Sequence, residues 1–159
     1  MSPNVLVEET ALGPPLRIVF YARVSTDDQR DRHTVETQLM VMREEVLRNS
    51  AVRKVGEYVD DGVSGTVPMA ERPEGGRLLR DAELHIFDEV WVYRIDRLGR
   101  GDYDPLIVFE RLENLDVIIK SITEGEIKPL MRAVHVAFSA EERRVLRARS
   151  MAGMNRAVK

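Results

Sequence analysis

The chain has 159 residues, 43% hydrophobic and 32% charged, with a net charge of −3; this fits one globular domain with its own core and excludes the low-hydrophobicity, high-charge regime of disorder. It has no cysteine, which excludes disulfides and thiolate metal sites and fits a reducing cytoplasm. No apolar run approaches the roughly 18 residues of a membrane-spanning helix, and the start lacks the basic and apolar regions of a signal peptide, so the reading is a soluble, cytoplasmic protein with no membrane partner.

Met1 to Pro15 show no sustained period and end in Pro14-Pro15, which predicts an extended, stiff leader. Leu16 to Val24 then reads as a buried strand, because Ile18, Val19, Phe20 and Tyr21 form a short β-favouring apolar run. From Thr34 to Asn49, Val35, Leu39, Met42 and Val46 recur at helical spacing behind Thr34, a plausible N-cap. A second strand fits Val52 to Val59. Asp60-Asp61-Gly62-Val63-Ser64-Gly65 follows with turn chemistry, and the stretch to Pro73 is expected to be a mobile loop.

A short helix over Glu74 to Glu83 leads to a third strand, Val90 to Tyr93, β-branched or aromatic throughout. A helix from Asp104 to Asn114 and a strand from Val117 to Ser121 complete the alternation. The fold class is therefore α/β, a largely parallel sheet with helices on both faces. Pro129 suits the first turn of a long closing helix, although Ser139-Ala140-Glu141-Glu142 also matches a capping box that would start a separate one. The expected division is a leader (1–16), an α/β catalytic domain (17–128) and a closing helix (129–159).

Ligands gather at the carboxyl ends of the strands in such a sheet. There the sequence puts Arg23 and Ser25 after the first strand, Arg72 in the loop after the second, and Asp96, Arg97 and Arg100 after the third. Guanidinium forks match the non-bridging oxygens of a phosphodiester under attack, so arginines can take the place of a metal. Ser25 is the candidate nucleophile; Asp96 is the nearest proton-transfer group, since none of His33, His85 and His135 sits in either motif. The bland readings are a helix N-cap for Ser25-Thr26-Asp27-Asp28, a surface ion pair for Asp96 with Arg97 or Arg100, and turn formers for Gly62 and Gly65.

Charge is unevenly spread. Arg143, Arg144, Arg147, Arg149, Arg156 and Lys159 face no acidic residue from position 143 onwards, a cationic end on an acidic body. That is either a nucleic-acid footprint or a solvated helix face.

Tyr21-Ala22-Arg23-Val24-Ser25 with Gln29, followed about seventy residues later by Asp96-Arg97-Leu98-Gly99-Arg100, resembles the catalytic domain of the serine recombinases, the resolvase, invertase and integrase family. Asp60, Gly62, Ser64, Gly65 and Glu71-Arg72-Pro73 look most like its large members. The resemblance implies that Ser25 attacks a DNA phosphodiester to give a 5′-phosphoserine link and a free 3′ hydroxyl. It implies that Arg23, Arg72, Arg97 and Arg100 surround the phosphate beside Asp96, with Tyr21 and Gln29 in support. It further implies double-stranded DNA at specific attachment sites as partner, dimers that pair into a tetramer, and neither metal nor cofactor. Arg143, Arg144, Arg147 and Arg149 would then approach the DNA backbone. The family continues into DNA-binding domains where this chain ends, which reads as a catalytic-domain fragment. Two alternatives stand beside it: a non-catalytic DNA-binding or assembly module with the same fold, and a metal-dependent phosphotransferase using some of Asp60, Asp61, Asp88 and Asp96.

Overall fold

The computed structural model describes residues 13–26, 34–99, 104–127 and the helical positions 141, 144, 145 and 147–149. In chain order it contains β1 (Leu16–Val24), α1 (Val35–Leu47), β2 (Val52–Asp61), α2 (Pro73–Glu83), β3 (Glu89–Val92), α3 (Asp104–Asn114), β4 (Ile118–Ser121) and β5 (Gly125–Glu126). The sheet order is β2-β1-β3-β4-β5, with β1 to β4 parallel and β5 antiparallel to β4. The α/β expectation holds.

β1 is the central strand and its alternation splits the core. Ile18, Phe20 and Ala22 face α1 together with Trp91, whereas Val19 and Tyr21 join Val90, Val92 and the buried faces of α2 and α3. Residues with this period and burial on both faces form a strand under helices. β2 runs along the sheet edge and carries a bulge at Val55, because Ile18 pairs with Lys54 while Val19 pairs with Gly56. A bulge and the exposed Lys54 make that edge a poor template for another strand.

The helix ends explain the strand positions. Thr34 caps α1 by accepting from the Thr37 N–H at 3.2 Å. α2 and α3 each end in a left-handed residue, His85 (φ 51°) and Asp116 (φ 58°). In both the next residue's N–H returns to the last turn, Ile86 to the Asp81 carbonyl and Val117 to the Leu112 carbonyl. This closing motif aims the chain into β3 and β4.

Three differences from the sequence reading have local causes. β2 extends to Asp61, because Asp60 and Asp61 still pair with Arg23 and Val24, and the turn begins at Gly62 (φ 77°). The stretch from Gly62 to Arg72 is no mobile loop: it holds a 3-10 turn at Met69–Glu71 and the buried Met69, and guanidinium groups bind its carbonyls. Short β5 carries too little sequence signal for any pattern to detect. The closing helix lies mostly outside the described residues. Among those described, no helix is long and apolar enough to cross a membrane.

Replacing His85, a non-glycine in the left-handed region, by glycine is expected to raise the unfolding free energy by about 1 kcal/mol in urea titration. Gly75→Ala acts in the opposite direction, because its Cβ would stand 2.6 Å from the Met69 carbonyl oxygen.

Candidate active site

Three arginines from distant parts of the chain meet at the carboxyl ends of β1 and β3. Arg23 donates from Nε to the Arg97 carbonyl (3.0 Å), from Nη2 to the Asp96 carbonyl (3.1 Å) and from Nη1 to the Val63 carbonyl (3.0 Å). Arg97 reciprocates from Nη1 to the Arg23 carbonyl at 3.1 Å. Arg72 reaches the same Arg97 carbonyl from Nη1 at 3.2 Å, and also donates to Val67 and Gly65 carbonyls and to the Tyr21 hydroxyl. Each of the three residues is 1% exposed. Such burial is tolerated where most of the donors meet carbonyl acceptors inside the protein, and the guanidinium fork suits carbonyls converging from several directions.

A buried relay ties this cluster to α2. The Tyr21 hydroxyl accepts from Arg72 at 3.0 Å and donates to Asp60 at 2.9 Å. Asp60 in turn accepts the N–H groups of Glu74 (3.0 Å) and Gly75 (2.9 Å), so a carboxylate on β2 caps the α2 N-terminus, where the dipole favours negative charge. Burial pushes the Tyr21 phenol well above its ordinary range, with Arg72 opposing and Asp60 reinforcing the rise.

Ser25 sits one residue past β1. It is 3% exposed, and its hydroxyl has no hydrogen-bond partner among the described residues. The alternative of a helix N-cap at Ser25-Thr26-Asp27-Asp28 lies outside the described residues, because the N–H groups it would cap, those of Asp27 and Asp28, are not among them. The carbonyl of Arg23 just before it is held from two sides, by Arg97 and by the buried Gln38 amide at 3.1 Å. Gln38 escaped the sequence reading. Its signal was a polar residue on the apolar stripe of Val35, Leu39 and Met42.

Asp96 lies at the exposed rim. Its two oxygens stand 3.4 Å from Arg97 Nε and 3.4 Å from Arg94 Nη2. On the neighbouring β4 end, the Glu124 carboxylate accepts from the Ser121 and Thr123 hydroxyls. Sequence reasoning passed over that turn as well.

The aspartates of the metal-dependent alternative do not converge. Asp88 precedes β3 at the amino-terminal edge of the sheet, bonded to Arg17, while Asp60 caps α2 and Asp96 follows β3. No cluster of three or more metal-ligating side chains occurs among the described residues. His85 also lies at the amino-terminal edge, between α2 and β3. Gln29, Arg100 and Arg143 fall outside the described residues. Arg144 pairs with Glu141 at 2.7 Å, and Arg144, Arg147 and Arg149 are exposed.

The family model "Resolvase, N terminal domain" matches residues 18–159. The chain belongs to the resolvase N-terminal domain family, that of the serine recombinase catalytic domains. The N-terminal catalytic domain of TP901-1 integrase superposes with a TM-score of 0.70 at 26% identity, over 81% of this chain and 98% of that one. The Transposon Tn2501 resolvase of Escherichia coli is 31% identical over 111 residues, 70% of this chain and 52% of the resolvase. A longer Bacillus subtilis (strain 168) protein, named as a DNA recombinase, is 31% identical over 101 residues, 63% of this chain and 19% of its own length. The chain thus spans about half or less of these two relatives.

For this recombinase domain, Tyr21→Phe is expected to cost about 1–3 kcal/mol, because Asp60 loses a donor and Arg72 an acceptor in a buried place. The raised phenol has a signed consequence: the unfolded chain releases this proton near pH ~10 and the folded one does not. Its contribution is full below that pH and is lost as pH rises above it. Urea midpoints measured against pH should fall less steeply at alkaline pH in Tyr21→Phe than in the wild type.

Proposed function

We propose that this chain is the strand-cleaving domain of a site-specific DNA recombinase, with Ser25 as nucleophile. The observation that carries the reading is the Ser25 hydroxyl, buried yet without a hydrogen-bond partner among the described residues, on a strand end held by the arginine clamp. A buried hydroxyl left unbonded costs free energy, and functional groups are where proteins retain such a cost. Membership of the serine recombinase family supports the same assignment.

In the reaction, Ser25 Oγ attacks phosphorus and its bond to the 3′ oxygen breaks. The serine gives up its proton, the departing 3′ oxygen takes one up, and the DNA strand stays joined to the protein through its 5′ phosphate. One phosphodiester replaces another, so the bond energy is kept for religation without ATP. Arg23, Arg72, Arg97 and Arg100 supply the positive field at the phosphate. The first three act from within the scaffold, and Asp96 lies at the rim as the proton-transfer candidate. Because Ser25 is 3% exposed, attack on duplex DNA requires its surroundings to open. Double-stranded DNA at specific sites is the substrate, and self-assembly into dimers and synaptic tetramers, with Arg143, Arg144, Arg147 and Arg149 toward the backbone, completes the proposal.

A suicide DNA duplex bearing the crossover site is expected to trap a covalent adduct, formed equally with chelator present and lost in Ser25→Ala, with mass spectrometry assigning the link to Ser25. An adduct on another residue, or strand exchange unchanged in Ser25→Ala, would overturn the assignment; the second result would favour the non-catalytic module.

A further inference from the structure

Three of the four arginines that the family motif assigns to the phosphate are closed off from a duplex in this structure. Arg23, Arg72 and Arg97 are each 1% exposed, with guanidinium groups on main-chain carbonyls. Arg94 differs. It follows β3 by two residues, in extended backbone (φ −142°, ψ 154°) at the start of the turn that carries Asp96 and Arg97. Its side chain is 46% exposed, and its Nη2 stands 3.4 Å from the equally exposed Asp96 carboxylate. An ion pair between exposed groups at that distance is weak.

The same carboxylate touches Arg97 through its other oxygen, also at 3.4 Å. Asp96 thus bridges an accessible guanidinium and a buried one, its oxygens spaced as two non-bridging oxygens of a phosphate would be. A phosphodiester brings a comparable anionic pair of acceptors, and guanidinium binds phosphate as readily as carboxylate. The neighbouring β4 turn is fastened to the residue before Arg94, since the Tyr93 carbonyl accepts from the Thr123 N–H at 3.3 Å. The backbone that presents Arg94 is fixed before it at Tyr93 and after it at the Asp96 carbonyl, which accepts from Arg23 Nη2 at 3.1 Å.

We propose that Arg94 is a DNA-contacting residue that exchanges the Asp96 carboxylate for a backbone phosphate beside the scissile one, docking the duplex before the buried site opens. The inference rests on the recombinase reading and adds a residue that its motif does not include. Asp96 then holds Arg94 in place when no DNA is bound, and competes with the phosphate for it.

The test is fluorescence anisotropy of a labelled crossover-site duplex across a range of salt concentrations, with the wild type, Arg94→Ala, Arg94→Lys, Asp96→Asn and Ser25→Ala. Arg94→Ala is expected to weaken binding about tenfold, the size of one charge-assisted hydrogen bond. It should also reduce the slope of log K against log salt by about 0.9, the release accompanying one phosphate contact. Arg94→Lys keeps the slope, and Asp96→Asn tightens binding by removing the competitor; a residue that merely supported the fold would move neither quantity in this way. Binding and slope unchanged in Arg94→Ala, while wild type and Ser25→Ala bind alike and the wild type forms its adduct, would overturn the role of Arg94 and leave the recombinase reading standing. Failure of the wild type both to bind and to form an adduct would overturn the reading itself, and the inference with it.

Discussion

Arg23 and Arg72 reach one acceptor, the carbonyl oxygen of Arg97, from two separate parts of the chain, and Arg97 in return binds the carbonyl of Arg23. Three positive groups are gathered in the interior by main-chain dipoles rather than by a surface of carboxylates. Desolvating a guanidinium is costly unless its donors are met. Each arginine therefore fixes the loops whose carbonyls it needs: the turn after β3, the Gly62 to Arg72 segment, and the end of β1. The site's backbone is shaped by the residues that give the site its charge.

That arrangement links fold and chemistry through few contacts. Tyr21 passes from Arg72 to Asp60, and Asp60 seats the first turn of α2. Gly75 allows that turn to approach Met69, where any Cβ would collide. Gln38 and Arg97 hold the strand end that presents Ser25. The proposed nucleophile Ser25 is thus placed by rigid elements, as precise reacting geometry would require, while the more solvent-exposed Arg94 and Asp96 lie at the rim.

Sequence alone carried the strands and helices well, because β1 and α1 have strong periods and clear ends. That Arg23, Arg72 and Arg97 gather at the strand ends, with Ser25 and Asp96 beside them, was legible from residue type and position. What the arginines bind was not, since a guanidinium's partners here are backbone carbonyls up to 74 residues away, and carbonyls leave no mark in a sequence. For the same reason the Gly62 to Arg72 segment read as loose: its glycines and short polar residues suggest turns, and its restraints come from elsewhere in the chain. Asp60 showed its type and not its task, because helix caps are sought next to the helix, and this one lies on a strand.

A double-mutant cycle on Arg23→Lys and Arg72→Lys tests the shared-acceptor arrangement most directly, with unfolding free energies from urea titration of the wild type, both single variants and the double variant. Lysine keeps the charge and loses the fork. If both arginines depend on the Arg97 carbonyl, the two substitutions should couple by at least ~0.5 kcal/mol. Costs that simply add, within ~0.3 kcal/mol, would contradict it.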